Sequence, residues 1–420
     1  MVSTFHGLEV GKRGLMVGQA SIATTGHNIA NANTKGYSRQ TVNGTASPSL
    51  DVWINNGTGQ LGTGVSLESI TRVRDRFLDQ QYRDQASTLG EWSVKQGTLE
   101  RLEVSINEPS ETGLQSAMDQ LRGAWHDLSN DPDSASARAV IKERANEFVE
   151  TAQSMNDSMA NVKTDLEAQK LDKIDEANGI LKQIAELNNS INRSGTQSND
   201  LLDKRDVLVE ELSKIVDVNV KETNGVYEVT LASEGLSFVT GSNNTEIQID
   251  DASKVSGGEL SGIIQSIDIV DKYQSKLEDV VNQFVAANEM PAAADGTPGA
   301  NLFSTDGTID SLKVNPDIEA DIKRITQIPA DLDNKYQGVS GNFQAVVSEL
   351  GAQSQGAIRS IANHEAALLA TDSRRQSVTG VSLDEEMANL IKYQHAYSAA
   401  ARMISTTDQM LDTIINRMAN

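Results

Sequence analysis

Apolar residues recur along most of this chain at the three-four rhythm of helices, and only briefly at the alternation of strands. Near the start, Leu8, Leu15, Ile22 and Ile29 stand seven apart, the spacing of a coiled-coil seam, which predicts a helix over 3–30. Gly7, Gly11, Gly14, Gly18 and Gly26 interrupt it. At about 1 kcal/mol each relative to alanine they weaken the isolated helix, and they leave room for a partner backbone to come close. Such a helix is expected to order only when something packs on it. The other end, "GVSLDEEMANLIKYQHAYSAAARMISTTDQMLDTIINRMAN", has the clearest period. Leu383, Leu390, Tyr397, Ile404, Leu411 and Met418 lie at steps of seven, with Met387, Ala401 and Ile415 in flanking seam positions. Ser382 and Glu385 fit a capping box at its start.

Between these ends the same rhythm predicts helices over 72–106, 113–129, 135–192, 199–216, 259–289 and 334–372. Val73, Phe77, Leu89, Trp92, Leu99 and Leu102 form the apolar side of the first of these, and Ser134 or Asp133 can cap the third. Nearly sixty helical residues over 135–192 would span about 85 Å, too long for a round domain. Strands are expected at 50–54 and 65–70. "VDVNVKETNGVYEVTL" drops to a period of two around Asn224-Gly225, a hairpin signal, so a small β module is placed at 213–255. The expected fold is mainly α with a small β module: an elongated, coiled-coil-like helical bundle with paired N- and C-terminal helices. Its units are 1–48 with 378–420 (terminal helices), 49–212 with 256–377 (helical rod) and 213–255.

The stretch "NIANANTKGYSRQ" (28–40) joins the first helix to an extended segment that begins at Tyr37. Asn31, Asn33 and Gly36 tolerate left-handed backbone, so the stretch reads as a helix-to-strand corner.

Composition narrows the chemistry. The net charge of −23 over 420 residues disfavours nucleic acid, which needs clustered Lys and Arg. Aromatic residues make up only 4%, which suits long helices in thin layers. There is no cysteine, hence no disulfide or thiolate site. No apolar run approaches the roughly 20 residues that cross a bilayer, and the first 25 residues hold no signal-peptide core, so composition alone points to a soluble, cytosolic protein without a membrane partner. "GTGQLG" (57–62) fits G-x-G-x-x-G, but the alternating "TGVSLESI" stands where a helix would have to begin, so it reads as a turn with glycines at positive φ. The five histidines show no metal spacing. "DLLDKRD" and "SLDEE" read as solvated charged faces, and Met155, Met159, Met387, Met410 and Met418 as core. No catalytic constellation, metal site or cofactor site is predicted.

The terminal stretches carry a resemblance. "NIANANTKGYSRQ" resembles the N-terminal signature of bacterial flagellar rod, hook and hook-associated proteins, and its "SRQ" continuation is most similar to the hook-associated proteins of the hook–filament junction. "GTGV" (62–65) with "ITRVRDRFLDQQYR" (70–83), "SNDLLDKRDVLVEELSKIVDV", "LKVNP" and the C-terminal "VSLDEEMANLIKYQHAYSAAARMISTTDQMLDTIINR" are similar to the same family, in its order. Many members carry larger outer domains than the hairpin module here. The resemblance implies export through the flagellar type III apparatus without a cleaved signal, and so an extracellular place in the flagellum. It implies self-assembly into a ring-like junction zone between the hook protein and the second junction hook-associated protein, and a cytoplasmic export chaperone at the C-terminal region. The terminal helices are then expected to be unstructured in the monomer and to fold on assembly. Their interface would comprise Leu8, Leu15, Ile22, Ile29, Leu383, Met387, Leu390, Tyr397, Ile404, Leu411, Ile415 and Met418. A flagellar hook or distal-rod protein, and a cytosolic coiled-coil scaffold, are the alternatives; an enzyme is more remote.

Overall fold

The computed structural model describes residues 5–54, 57–194, 198–223, 226–233, 236–248, 254–290 and 301–413. The chain opens with α1 (His6–Ala30) and crosses four strands, β1 (Gln40–Ala46), β2 (Leu50–Ile54), β3 (Gly57–Leu61) and β4 (Val65–Arg72). β1 pairs antiparallel with β4 and β2 with β3, as two separate two-stranded ribbons, the second inserted between the strands of the first in sequence. Helices α2 (Arg76–Ile106), α3 (Leu114–Asn130), α4 (Ala135–Ser194) and α5 (Asn199–Ile215) come after it. A four-stranded antiparallel sheet is next, in the order β5 (Val218–Thr223), β6 (Val226–Leu231), β7 (Ser237–Thr240), β8 (Asn243–Asn244). After α6 (Gly258–Ala287) come the two-residue pair β9 (Phe303–Ser304) and β10 (Lys313–Val314), short α7 (Pro316–Ala320), and the long helices α8 (Leu332–Thr379) and α9 (Leu383–Asp412).

The 60 residues of α4 make a rod of about 90 Å. Its buried side chains fall into two groups. Ile141 to Leu166 join a core with α3, α6, the second half of α2 and the first part of α8. Ile174 to Ala185 join another with α5 and the β5–β8 sheet. In the first, Phe148 and Phe284 stack with ring centroids 4.4 Å apart and Phe303 lies 5.5 Å from Phe148. Trp125, fully buried, donates its indole N–H to Asn288 Oδ1 at 2.8 Å, so its polar atom is satisfied. Among the described residues, neither core takes a side chain from α1 or α9.

Several local expectations change. Arg72 completes β4, and α2 starts only at Arg76, because Asp75 caps it by accepting from the amides of Phe77 (2.9 Å) and Leu78 (3.4 Å). Phe77, expected on the apolar side of that helix, is 73% exposed. "GTGQLG" is not a turn: its first five residues are β3, paired along β2 with Ile54 opposite Gly57, and positive φ occurs two residues beyond the motif, at Gly64. Ser134 rather than Asp133 caps α4, accepting from the amide of Ala137 at 3.2 Å. Thr223 pairs with Val226, which frames a two-residue hairpin connection; Asn224 and Gly225 themselves lie outside the described residues.

Since Phe148 sits at the centre of the aromatic cluster, Phe148→Ala is expected to cost about 3–5 kcal/mol. Urea unfolding checks this, as a lower midpoint at unchanged slope.

Candidate assembly site

α1 and α9 run antiparallel: a Cβ on Gly7 would touch Thr407, one on Gly14 Ala400, and one on Gly18 Tyr397. The row facing α9 is Gly7, Gly11, Gly14, Gly18, Ser21, Thr25 and Asn28, a four-three spacing made of small and polar residues. Glycine at 18 brings the backbones close, since its Cβ would sit 3.5 Å from Tyr397 Cα. The seam therefore differs from the expected one. Leu8, Leu15, Ile22 and Ile29 are half-buried beside it, while the buried positions of α1 are Gly11, Gly18, Ser21, Thr24, Thr25 and Asn28. On α9 the buried positions are Glu386 and Thr407, both polar.

Helical periodicity explains which side chains stay uncovered. On α1 the Leu8–Ile29 stripe lies on one flank of the seam, and the β1–β4 ribbon covers the other, where Val10 packs against Gly64 and Val17 against Gly44. On α9 the stripe residues Tyr397 and Ile404 face α1 directly, over Gly18 and Gly11, with Ala400 and Thr407 between and beyond them over Gly14 and Gly7. Leu390, Ile404 and Leu411 are half-buried, but Leu383 (49%), Met387 (57%), Ile391 (54%) and Tyr397 (39%) are exposed. Met387 and Met410, expected in the core, are exposed, whereas Met155 and Met159 are buried. Ile415 and Met418 lie outside the described residues.

At the foot of the pair a polar clasp joins it to the rod. Asn28 Nδ2 donates to the Gln40 carbonyl (2.9 Å) and to Glu386 Oε2 (3.0 Å), while its Oδ1 accepts from the Tyr37 hydroxyl (2.7 Å) and the Gln40 amide (3.0 Å). Arg39 donates to Glu385 at 2.8 Å, so the glutamate of the expected capping box is held by the corner; Ser382 still caps α9. Ser38 donates its amide and hydroxyl to the two oxygens of Asp203, at 3.0 and 2.8 Å. Arg72 Nη1 bridges Asp203 (2.8 Å) and Asp206 (2.6 Å), and Arg74 reaches Asp206 at 2.7 Å while forking onto Asp79. Arg375 of α8 completes the cluster on Glu210.

Within the corner, only Gly36 has left-handed backbone, φ 77°; Asn31 has φ −104° and Asn33 is not left-handed. Gly36 has a second reason to be glycine, because a Cβ there would lie 2.0 Å from Val207 Cγ2. The reading of "DLLDKRD" and "SLDEE" as solvated faces fails at the clasp: Asp203, Arg205, Asp206 and Glu386 are buried. The signal was present in the spacing, since Asn199, Asp203, Asp206 and Glu210 occupy one face of α5, and Arg72 and Arg74 in "TRVRDR" supply the counter-charges. Burial opposes ionisation of Asp206, but Arg74 and Arg72 beside it outweigh that and hold its carboxyl below the ordinary value; at Glu210 burial wins over Arg375 and pushes the carboxyl up. No group of carboxylates and histidines fit to hold a metal occurs among the described residues.

Gly36→Val should prevent closure of the corner, through left-handed strain of about 1–2 kcal/mol together with overlap on Val207. Val207→Ala is expected to rescue part of the loss, as a double-mutant cycle on thermal stability would show. The clasp also sets an acid limb. Asp206 is depressed in the fold, so its stabilisation is complete above its unfolded value of 3.8 and is lost as pH falls below that. Glu210 is raised, so its buried charge destabilises at neutral pH and this cost disappears on mild acidification. Urea midpoints should therefore hold or rise slightly between neutrality and the upper carboxylate range and fall only below it, and Asp206→Asn should flatten that fall.

Parts of the blocks "NIANANTKGYSRQ", "ITRVRDR", "SNDLLDKRD" and "SLDEE" meet at this clasp, whereas "LKVNP" lies in the first core. The family profile "Flagellar hook-associated protein FlgK helical domain" matches residues 99–303, and "Flagellar basal body rod FlgEFG protein C-terminal" matches 374–418. The chain is 30% identical over 502 aligned residues to Flagellar hook-associated protein 1 of Bacillus subtilis, covering 100% of this chain and 99% of that protein. It is 25% identical over 555 aligned residues to Flagellar hook-associated protein 1 of Salmonella typhimurium, covering 96% and 98%. The solved flagellar hook junction protein FlgK from Burkholderia pseudomallei aligns with a TM-score of 0.49 at 21% identity, over 54% of this chain and 46% of that one. The full-length likeness to the Bacillus protein places this chain in the flagellar hook-associated protein 1 family.

Proposed function

We infer that this chain is a structural protein of the hook–filament junction of the bacterial flagellum, and that it builds the junction by packing its terminal helices against those of neighbouring copies. The family is one of flagellar structural proteins, and the C-terminal segment is of the kind found in rod and hook components, so the chain associates with hook-type parts of the flagellum. The match to the helical domain over 99–303 favours a junction role over a hook or distal-rod one.

The observation that carries the assembly reading is the apolar run on the outer side of α9, with Leu383, Met387 and Ile391 about half exposed. An exposed run of this kind marks a contact surface. The pair's own seam is glycine, serine, threonine and asparagine, and its fully buried positions are mostly polar, so little apolar area holds it closed. On this reading the terminal helices of the 1–48 with 378–420 unit, about 3–32 and 382–418, are loosely ordered in a free monomer and become fixed as further helices cover them, while the corner stays held by the clasp. Residues 49–212 with 256–377 form the standing rod, with 213–255 as an outward module. The zone so formed would meet the hook protein on one side and the second junction protein on the other. Outside the cell is its place, reached without a cleaved signal and with a chaperone guarding the C-terminal region beforehand.

Replacing Leu383, Met387 and Ile391 together by serine touches no core and should leave monomer stability within about 0.5 kcal/mol. Cells carrying only this variant are expected to lose filaments and to shed flagellin into the medium. Intact filaments would overturn the reading, as would amide exchange showing both terminal helices equally protected in free and assembled protein.

A further inference from the structure

Tyr227 belongs to β6 of the outward module, yet its hydroxyl leaves the sheet and donates to Asp206 Oδ1 on α5. The Arg205 guanidinium lies over the phenol ring, 3.5 Å from its centroid, and fixes the ring from its face. The other oxygen of Asp206 takes both Arg72 (2.6 Å) and Arg74 (2.7 Å). One carboxylate is thus shared, one oxygen to the module and one to the clasp. Arg72 also holds Asp203 at 2.8 Å, and Asp203 in turn accepts the amide of Ser38 at 3.0 Å. A continuous set of charge-assisted bonds runs from the module to the corner beneath α1.

We propose that Tyr227 is a positioning residue through which the β module keeps the clasp closed. A carboxylate 5% exposed has few ways to satisfy both oxygens. With the phenol on Oδ1, Oδ2 must face the two arginines. Without it, the buried oxygen is left unpaired, and the carboxylate turns to share the arginines differently. Arg72 then follows Asp206 and loosens its hold on Asp203, and the Ser38 amide loses its fixed acceptor. The module is in this sense a strut for the inner end of the molecule, whatever that end assembles with.

The test is amide exchange on the full chain. In Tyr227→Phe the Ser38 amide is expected to exchange about tenfold faster or more, the loss typical of a hydrogen bond to a charged group, while β5–β6 ladder amides stay protected. Val239→Ala, which loosens the sheet interior but keeps the hydroxyl, should leave Ser38 unchanged. Unchanged Ser38 exchange in Tyr227→Phe overturns the proposal. Equal acceleration by Val239→Ala also overturns it, because the effect would then be general weakening of the module. So does a Tyr227→Phe protein that loses cooperative urea unfolding, since the phenol would then support the whole fold rather than the clasp.

Discussion

Two buried aspartates on one helix face, Asp203 and Asp206, hold the corner beneath the terminal helices in place. Removing carboxylates from water costs several kcal/mol each, and only well-placed cations and donors repay it. Here the repayment comes from three parts of the chain: Arg72 and Arg74 at the end of the ribbon, Ser38 in the corner, and Tyr227 in the sheet. None of these partners is near Asp203 or Asp206 in sequence except Tyr227. The cluster therefore specifies which segments meet, in a region where apolar packing is sparse. Glu386 and Asn28 extend the same logic to the terminal helices, with one amide side chain serving the corner, the ribbon and α9.

Much of the architecture was legible in the chain. The long periodic helices, the sheet around Asn224-Gly225 and the pairing of the two ends arise from spacing alone, because apolar period directly reports which face is covered. The terminal seam departs from its apparent pattern for a physical reason. Leu8, Leu15, Ile22 and Ile29 have the period of a buried row, but the glycine and serine row beside them permits a closer approach, and closeness won. The larger residues were left to a flank that a single chain does not cover. In α5 the charged face defies local reading because burial of a carboxylate depends on arginines more than a hundred residues away. The one-face spacing of Asn199, Asp203, Asp206 and Glu210 hints at burial, but which arginines answer it is settled only by the fold.

Division of labour between core and ends reflects where apolar area is spent. Side chains from Leu99 to Ala357 fill two cores, and the helices before and after them contribute to neither among the described residues. The ends are thus free to specialise in surface. Charge obeys the same split: of the net −23, residues 1–48 carry three positive charges more than negative and 378–420 two negative more than positive, leaving −24 between them. Neutral ends can crowd together, and the charged body keeps copies apart in solution.

The unbroken course of α4 through both cores has a mechanical consequence. With 60 residues of continuous helix hydrogen bonding and no proline or break between the two packed regions, the body has no joint of its own. Bending it would mean rupturing a helix and tearing two interiors at once. Compliance has to reside elsewhere, in the three residues Gly380–Ser382 linking the last two helices. A chain of this kind behaves as a stiff rod whose last helix is joined to it through a short connection.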